Sequence, residues 1–559
     1  MSTALPMYGW NTIRWKEVER RVWQLQKRIY QASSRGDGRT VRKLQRLLMK
    51  SRSAKLLAVR RVTQDNQGKR TAGIDGVKSL TRPERIALVD TLRINRKAKP
   101  VRRVWIPKTS SDELRPLGIP TMHDRALQAL VKAALEPEWE ARFEPNSYGF
   151  RPGRSCHDAI EAIHMATSRR DKWVLDADIA KCYDRINHKA LLEKVNTSPS
   201  VRRQLKAWLQ AGVMDGGKLF PTEEGVPQGG TISPLLANIA LHGLERIVAE
   251  KFPRTEKHRV PLLVRYADDL VVFHAERQVI EGCQLLISEW LLKMGLELKP
   301  SKTRITHTLK VAEGKPGFDF LGFHLRQFPV GKTKTGTNGH GKPLGFKTII
   351  KPSKAAIKRH VQKLRETVRT YKHMDQKRLI RGLNPVIVGW TGYYRTAASR
   401  KTFEKLSDVL FRMLWAWGRY RHPKKGRRWI KDKYWRLKEH RAFRPRNHAL
   451  KLHQHYETAI RRHVKVQNIR SPYDGDWVYW STRMGRSPEV SNRVAELLKR
   501  QRGRCPECKL FFKYGDALEV DHIVPRALGG ATAYYNRQLL HCHCHDSKSA
   551  REAGRTRHG

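Results

Sequence analysis

The chain has 559 residues, too many for one hydrophobic core, so several domains are expected. A hydrophobic content of 39%, with 15 Trp, 16 Tyr and 15 Phe, excludes a disordered polymer. Lys and Arg number 112 against 52 Asp and Glu, a net charge of +60, and self-repulsion on that scale calls for a polyanion partner. Nucleic acid is the leading partner. An anionic membrane surface is the weaker alternative, because the basic residues are spread along the chain and not gathered on one amphipathic helix. No apolar run approaches the ~20 residues that span a bilayer. Residues 1–10 lack a basic stretch followed by an apolar core, so no secretory signal and no membrane partner are expected, and the location expected is cytoplasmic. Cys156, Cys182 and Cys283 are scattered, whereas Cys505, Cys508, Cys542 and Cys544 cluster, which in a reducing compartment suggests a metal site.

Along the chain, residues 15–60 read as helix. Trp15, Val18, Val22, Leu25 and Ile29 recur at three- and four-residue steps, until Arg35-Gly-Asp-Gly38 breaks the run. A mixed region extends to about residue 328, with a helical pattern at 126–135 and short apolar strands at 173–179 and 262–266. The Gly-, Lys- and Thr-rich stretch 331–345 reads as a flexible loop or linker. From 353 the pattern is helical and basic. It is densest between Arg419 and Arg446, where Tyr420, Trp429, Tyr434, Trp435 and Phe443 interleave with cations. Such rings either stack on bases or form a small core. From 501 the texture becomes Cys/His-rich, and no internal repeat is present.

Two stretches gather carboxylates. In Lys172-Trp-Val-Leu-Asp-Ala-Asp-Ile179 the two-residue strand period puts Asp176 and Asp178 on one face. Pro261-Leu-Leu-Val-Arg-Tyr-Ala-Asp-Asp-Leu-Val-Val-Phe273 reads as a hairpin turning at Asp268 and Asp269. Acids at a turn are ordinary by themselves. Acids gathered on apolar strands are costly unless they hold cations, and polymerase chemistry needs two divalent ions about 3.5–4 Å apart on such a platform. Gly225-Val-Pro-Gln-Gly-Gly-Thr-Ile-Ser-Pro-Leu-Leu-Ala-Asn238 reads as a Gly loop entering a helix, with Ser233 as N-cap and Pro234 at the first helical position.

Tyr266-Ala-Asp-Asp269 resembles the signature hairpin of reverse transcriptases, and Asp178-Ile-Ala-Lys-Cys-Tyr183 resembles their first palm motif. The resemblance selects Asp178 over Asp176 as a catalytic metal ligand beside Asp268 and Asp269. It implies that Tyr183 is the gate beneath the sugar 2′ position, and that Gln228 and Gly229 line the pocket for incoming dNTPs. Arg103-Val-Trp-Ile-Pro-Lys108 and Leu114-Arg-Pro-Leu-Gly-Ile-Pro120 resemble the fingers, where Lys108 and Arg115 would hold the triphosphate. Leu298-Lys-Pro-Ser-Lys-Thr303 and Phe320-Leu-Gly-Phe323 resemble the last palm motifs, which implies that Lys302 lies near the phosphates. Phe320-Leu-Gly-Phe323 would be a primer grip or simply core.

Lys69-Arg-Thr-Ala-Gly-Ile-Asp-Gly76, Asn146-Ser-Tyr-Gly-Phe-Arg-Pro-Gly-Arg154 and Gly382-Leu-Asn-Pro-Val-Ile-Val-Gly-Trp-Thr-Gly-Tyr-Tyr394 resemble the group II intron-encoded proteins, of bacterial or chloroplast-like lineage. The resemblance implies a multidomain α+β architecture: a right-hand polymerase with an antiparallel palm sheet, a helical thumb, a basic DNA-binding segment and a small zinc-ribbon/ββα-metal nuclease. The boundaries expected are 1–90 for an N-terminal extension, 91–330 for fingers and palm, 331–420 for linker and thumb/maturase, 421–500 for DNA binding and 501–559 for the nuclease. The partners implied are intron RNA and double-stranded target DNA, within a nucleoid-associated ribonucleoprotein.

Cys505-Pro-Glu-Cys508 and His541-Cys-His-Cys-His545 form two knuckles about thirty residues apart, a strong tetrahedral zinc signal. A structural ion suits a unit of ~60 residues with little core. Cys505, Cys508, His541 and Cys544 keep the two-residue gaps, with Cys542 as the alternative to His541. Glu519-Val-Asp-His-Ile-Val-Pro525, Asn536 and His545 resemble an HNH endonuclease threaded through the ribbon. By that resemblance His522 is the general base, Asn536 orients it, and Asp521 and His545 hold Mg²⁺ or Mn²⁺. A ribbon that only binds DNA is the bland alternative. The function implied is reverse transcription with two Mg²⁺, maturase-assisted splicing and DNA nicking that primes retrohoming. The alternatives are a maturase alone or another bacterial reverse transcriptase without mobility.

Overall fold

The structure is a computed structural model that describes residues 9–107, 114–255, 259–312, 314–338, 340–436, 442–445, 450–488, 490–513 and 515–555. Lys108, Arg446 and the first eight residues lie outside the described residues. The expected helix over 15–60 is three: α1 (Trp15–Ser34), α2 (Gly38–Lys50) and α3 (Arg52–Arg60), followed by α4 (Arg82–Thr91). Gly36 turns with φ 75°, Asp37 caps α2 by accepting from the Thr40 N–H, and extended Ser51 separates α2 from α3. Val18, Val22 and Ile29 are buried, as are Val41, Leu44 and Leu48 of α2, while Leu25 packs half-buried at the margin.

Strands β1 (Val101–Pro107), β2 (Leu114–Ile119), β3 (Trp173–Asp178), β4 (Val213–Asp215), β5 (Lys218–Phe220), β6 (Leu262–Tyr266), β7 (Asp269–His274) and β8 (Arg304–His307) form two sheets, ordered β2-β1-β4-β5 and β6-β7-β3-β8. The second is antiparallel and apolar on both faces. Leu175, Ala177, Leu263, Leu270 and Val272 share one core with Ile280, Cys283 and Ile287. The alternate residues Val174, Val264, Val271 and Phe273 share another with Ile160, Ile163, Phe318 and Phe323. Helices α5 (Met122–Glu140), α6 (Cys156–Thr167), α7 (Cys182–Arg185), α8 (His188–Val195), α9 (Pro199–Leu209), α10 (Ser233–Leu241), α11 (Leu244–Lys251) and α12 (Arg277–Leu292) surround the sheets.

A third sheet, ordered β11-β10-β9, comprises β9 (Phe318–Phe320), β10 (Phe323–Pro329) and β11 (Phe346–Pro352). It decides between the loop and the linker expected at 331–345 in favour of the loop. β10 and β11 pair from Phe323↔Pro352 to Pro329↔Phe346, and the Val330 N–H donates to the Gly345 carbonyl, so this stretch is a hairpin loop within one sheet. Helices α13 (Lys354–Thr370), α14 (Gln376–Tyr394) and α15 (Arg400–Arg421) pack around Leu364, Leu379, Leu383, Ile387, Leu410 and Leu414. α16 (Arg427–Tyr434), β12 (Trp435–Arg436) and β13 (Ala442–Phe443) join that same core through Ile430, Tyr434, Trp435 and Phe443, so residue 421 does not separate two cores. Those three rings are core. Tyr420 and Trp429 are exposed.

A histidine pair closes the thumb. His360 of α13, stacked on Trp390 at 4.5 Å, lies with its Nε2 2.8 Å from Nε2 of His455. Burial lowers the His360 pKa to about 4; burial and the neighbouring His360 lower that of His455 to about 3. Both rings are therefore neutral when folded and take up protons near pH 6.5 when unfolded. The stability they contribute is complete above about pH 6.5 and drains away as the pH falls toward about 4. Thumb amide exchange is expected to accelerate between pH 6.5 and 5, and a His455→Asn variant to lose about half of that acid response, His360 keeping its own share. An equal response in both proteins would refute the assignment.

The C-terminal unit comprises α17 (Trp477–Arg486), α18 (Asn492–Arg500), β14 (Leu518–His522), β15 (Arg537–His541) and α19 (Cys542–Arg555). β14 and β15 pair antiparallel over a small core of Leu497, Leu498, Phe512, Leu539 and Leu540. Among the described residues no helix is long and apolar enough to cross a membrane.

Candidate functional sites

The palm carboxylates converge through strand register. Tyr266 pairs with Asp269 across the β6–β7 turn, and Ala267 adopts φ 57° to close it. β3 lies beside β7 with Asp178 directly opposite Asp269, so Asp178, Asp268 and Asp269 meet at one end of the sheet. Asp176 lies one pleat away and pairs with Arg304 at 3.0 Å. Burial raises the Asp269 pKa to about 7, reinforced by the Asp268 and Asp178 charges. Burial also raises that of Asp268, against the pull of Arg115 and Lys302. Lys302 donates to Asp178. Carboxylates crowded this closely repel one another, and this donor set fits divalent cations.

Arg265 escaped the sequence reading. Its guanidinium is buried, and Nη1 donates to the Ala267 carbonyl at 3.1 Å and to Asn238 of α10 at 3.0 Å, while Nη2 donates to Ser147 at 2.7 Å. It therefore grips the turn that carries Asp268. Residues 146–149 run alongside: the Tyr148 N–H donates to the Arg265 carbonyl and the Arg265 N–H to the Asn146 carbonyl. A Cβ at Gly149 would lie 2.4 Å from the Ala267 nitrogen, so only glycine lets this segment reach the turn. The signal available in the sequence was an arginine inside an apolar strand, a type seldom buried without partners.

Of the residues expected around a nucleotide, Arg115, Lys302 and Tyr183 are near enough to Asp268 to interact with its charge. Arg115 is exposed on β2, and Tyr183 is half-buried on α7, its pKa raised by burial and by Asp268. The Gly118 N–H donates to the Gln228 carbonyl at 2.6 Å, and a Cβ at Gly229 would meet the Gly118 oxygen at 2.7 Å, so the Gly loop is tied to the β1–β2 hairpin. The Gln228 side chain reaches Asp184 at 3.4 Å. Ser233 is the first residue of α10 and not its N-cap. Its hydroxyl is committed to the Pro227 carbonyl at 2.7 Å. Phe320 and Phe323 are core; Tyr393 and Tyr394 donate to the Leu321 and Gly322 carbonyls between them.

In the C-terminal unit the ligand atoms of Cys505, Cys508, His541 and Cys544 lie within 4.8 Å of one another, a compact donor set suited to one tetrahedral ion. His541 turns Nδ1 toward Cys508 Sγ at 3.4 Å and Nε2 toward Asp516 at 3.4 Å, a carboxylate placed to orient a ligating ring. Cys542 points instead at Glu519, 3.3 Å away. Asp521 and His545 approach to 3.7 Å. Glu519, 2.7 Å from His545, and Lys548, on Asp521 at 2.6 Å, join them unforeseen. His522 keeps Nε2 buried and without a hydrogen-bond partner among the described residues. Asn536 lies in the turn before β15. Its amide is taken by the Val524 N–H and by the Val524 and Ala531 carbonyls, so it braces the loop after His522.

Four family models match the chain in order. Residues 10–92 match the N-terminal domain of reverse transcriptase, 106–325 reverse transcriptase (RNA-dependent DNA polymerase), 357–435 the group II intron maturase-specific domain, and 505–551 HNH endonuclease. Protein YkfC of Escherichia coli (strain K12) is 33% identical over 327 residues, covering 51% of this chain and 83% of that protein. Group II intron-encoded protein LtrA of Lactococcus lactis subsp. cremoris is 31% identical over 290 residues, 41% of this chain and 47% of LtrA, so the chain spans about half of that relative. Maturase-like protein 1 of Euglena gracilis is 28% identical over 326 residues, 56% of this chain and 64% of that protein. The palm geometry and these matches define a reverse transcriptase. The chain belongs to the group II intron-encoded proteins, joining an RNA-directed DNA polymerase to maturase and HNH endonuclease domains. The polymerase and nuclease families use divalent metals, and the maturase and HNH domains imply binding of intron RNA and of DNA.

Proposed function

We propose that this protein splices with its intron RNA, nicks one strand of double-stranded target DNA and copies RNA into DNA from the nick. The convergence of Asp178, Asp268 and Asp269 on one sheet end is the observation that carries the polymerase reading. These three would hold two Mg²⁺, which when bound steady the attacking and leaving oxygens of phosphoryl transfer. Arg115, Lys302 and Lys108 neutralise the dNTP triphosphate. Tyr183 underlies the sugar, and Gln228 and Gly229 present the loop against which the nucleotide lies. Exposed Tyr420 and Trp429, among the cations of the thumb, suit stacking on intron RNA.

In the nuclease, Cys505, Cys508, His541 and Cys544 would hold a structural Zn²⁺. Asp521 and His545 would hold Mg²⁺ or Mn²⁺ at the scissile phosphate. His522 accepts the proton of the attacking water, a role suited to imidazole near neutral pH. Lys548 steadies Asp521, and Asn536 holds the loop. The protein would act in the nucleoid-associated cytoplasm. His522→Ala is expected to slow nicking by about 10²–10⁴-fold and to leave primer extension unchanged. Loss of both activities would defeat the division of labour. Intron RNA should outcompete unrelated RNA at fixed salt, although binding of both weakens as salt rises; equal affinities would leave only a general polyanion binder.

A further inference from the structure

Helix α1 carries a stripe that its own domain shares with the C-terminal unit. Trp15, Glu19 and Trp23 recur at four-residue steps, and each meets the C-terminal unit. Trp15 lies 6.2 Å from the His543 ring. Trp23 packs on Trp477 at 4.7 Å, and Trp477 stacks on Phe511 at 6.1 Å with 7° between the planes. Glu19 is 4% exposed, in a chain with 52 acids among 112 basic residues. One of its oxygens takes Arg60 of α3 at 2.8 Å and faces His543 at 3.7 Å, and the other faces Lys513 at 3.8 Å. Gln64 adds a hydrogen bond to Asp546.

Two routes join Glu19 to the fourth Cys/His ligand. His543 stacks on His541 at 5.2 Å. Lys513 sits in the loop of Asp516, whose carboxylate accepts the Lys513 N–H and faces His541 Nε2. A buried carboxylate is costly unless its partners are held in place, and the residues that surround Glu19 on this side are ordered by the Cys/His fold. We propose that the Trp15, Glu19 and Trp23 stripe is the receptor on which the metal-loaded Cys/His unit seats, so that metal occupancy and docking of the nuclease on the N-terminal domain are coupled. The nuclease site is then carried at a fixed position relative to the fingers and is not loosely tethered to them. The coupling rests on metal filling the four-residue site.

The test uses the full chain, with bound metal measured on the samples used for amide hydrogen exchange. Stripping zinc with a chelator is expected to speed exchange at 15–23 about tenfold, along with 505–545, and to leave the α2 core unchanged. Lys513→Glu should reproduce the change at 15–23 with metal retained and primer extension unaltered. Should that variant lose its metal, Trp23→Ala, which lies outside the unit, decides by speeding exchange across 505–545. Protection at 15–23 that survives chelation, or survives both variants, overturns the docking assignment. A chain that binds no metal at these four residues yet protects 15–23 overturns the coupling and, separately, the zinc reading.

Discussion

Asp268→Asn is expected to lower primer extension on an RNA template by about three orders of magnitude, equivalent to about 4 kcal/mol of transition-state stabilisation. Asparagine keeps the shape and the turn. It removes the charge that, with Asp178 and Asp269, makes this end of the sheet a cation platform. Arg115 and Lys302 would remain in place, so binding of dNTP should weaken far less than turnover falls. Nicking should be untouched, because Asp521 and His522 lie on β14 of another sheet and His545 on α19. Single-turnover extension checks the expectation, and extension at the wild-type rate would remove Asp268 from the site.

Arg265→Met should cost about 3–5 kcal/mol of local stability, since it strips the partner from several buried groups at once. The Ala267 carbonyl, Asn238 and Ser147 lose their donor, and Glu144 loses a nearby positive charge. Glu144 itself stays anchored by the N–H groups of Gly243, Glu245 and Arg246, so the damage should concentrate on the β6–β7 turn. Arg265→Lys tests geometry against charge: a lysine ammonium lacks the fork that spans Ala267, Asn238 and Ser147. Both variants should extend primers at a much reduced rate with dNTP affinity little changed. Wild-type turnover in Arg265→Lys would show that the fork does not position the turn.

What was legible in the chain was local. Asp268 and Asp269 at a turn between apolar strands, Asp178 at a strand end and the paired Cys knuckles are short-range patterns, and the palm register and the Cys/His cluster place these residues together. Composition leaves the Gly-rich stretch 331–345 as a loop or a linker; the difference lies in the pairing of β10 with β11 on either side. Ser233 has the residue type and spacing of an N-cap, but its hydroxyl is committed to the Pro227 carbonyl, a contact that spacing does not show.

The sequence by itself determined the class of chemistry: an acid platform in a chain of net +60, and a sulfur- and histidine-rich unit at its end. Tertiary structure alone decided which charges are buried and what holds them. Arg265 meets Ser147 and Asn238 from distant segments, and Glu19 meets Lys513 and His543 from almost the other end of the chain. The physical reason is that a buried charge is stable only with its partners in place, and those partners are set by packing between elements and not by spacing along the chain.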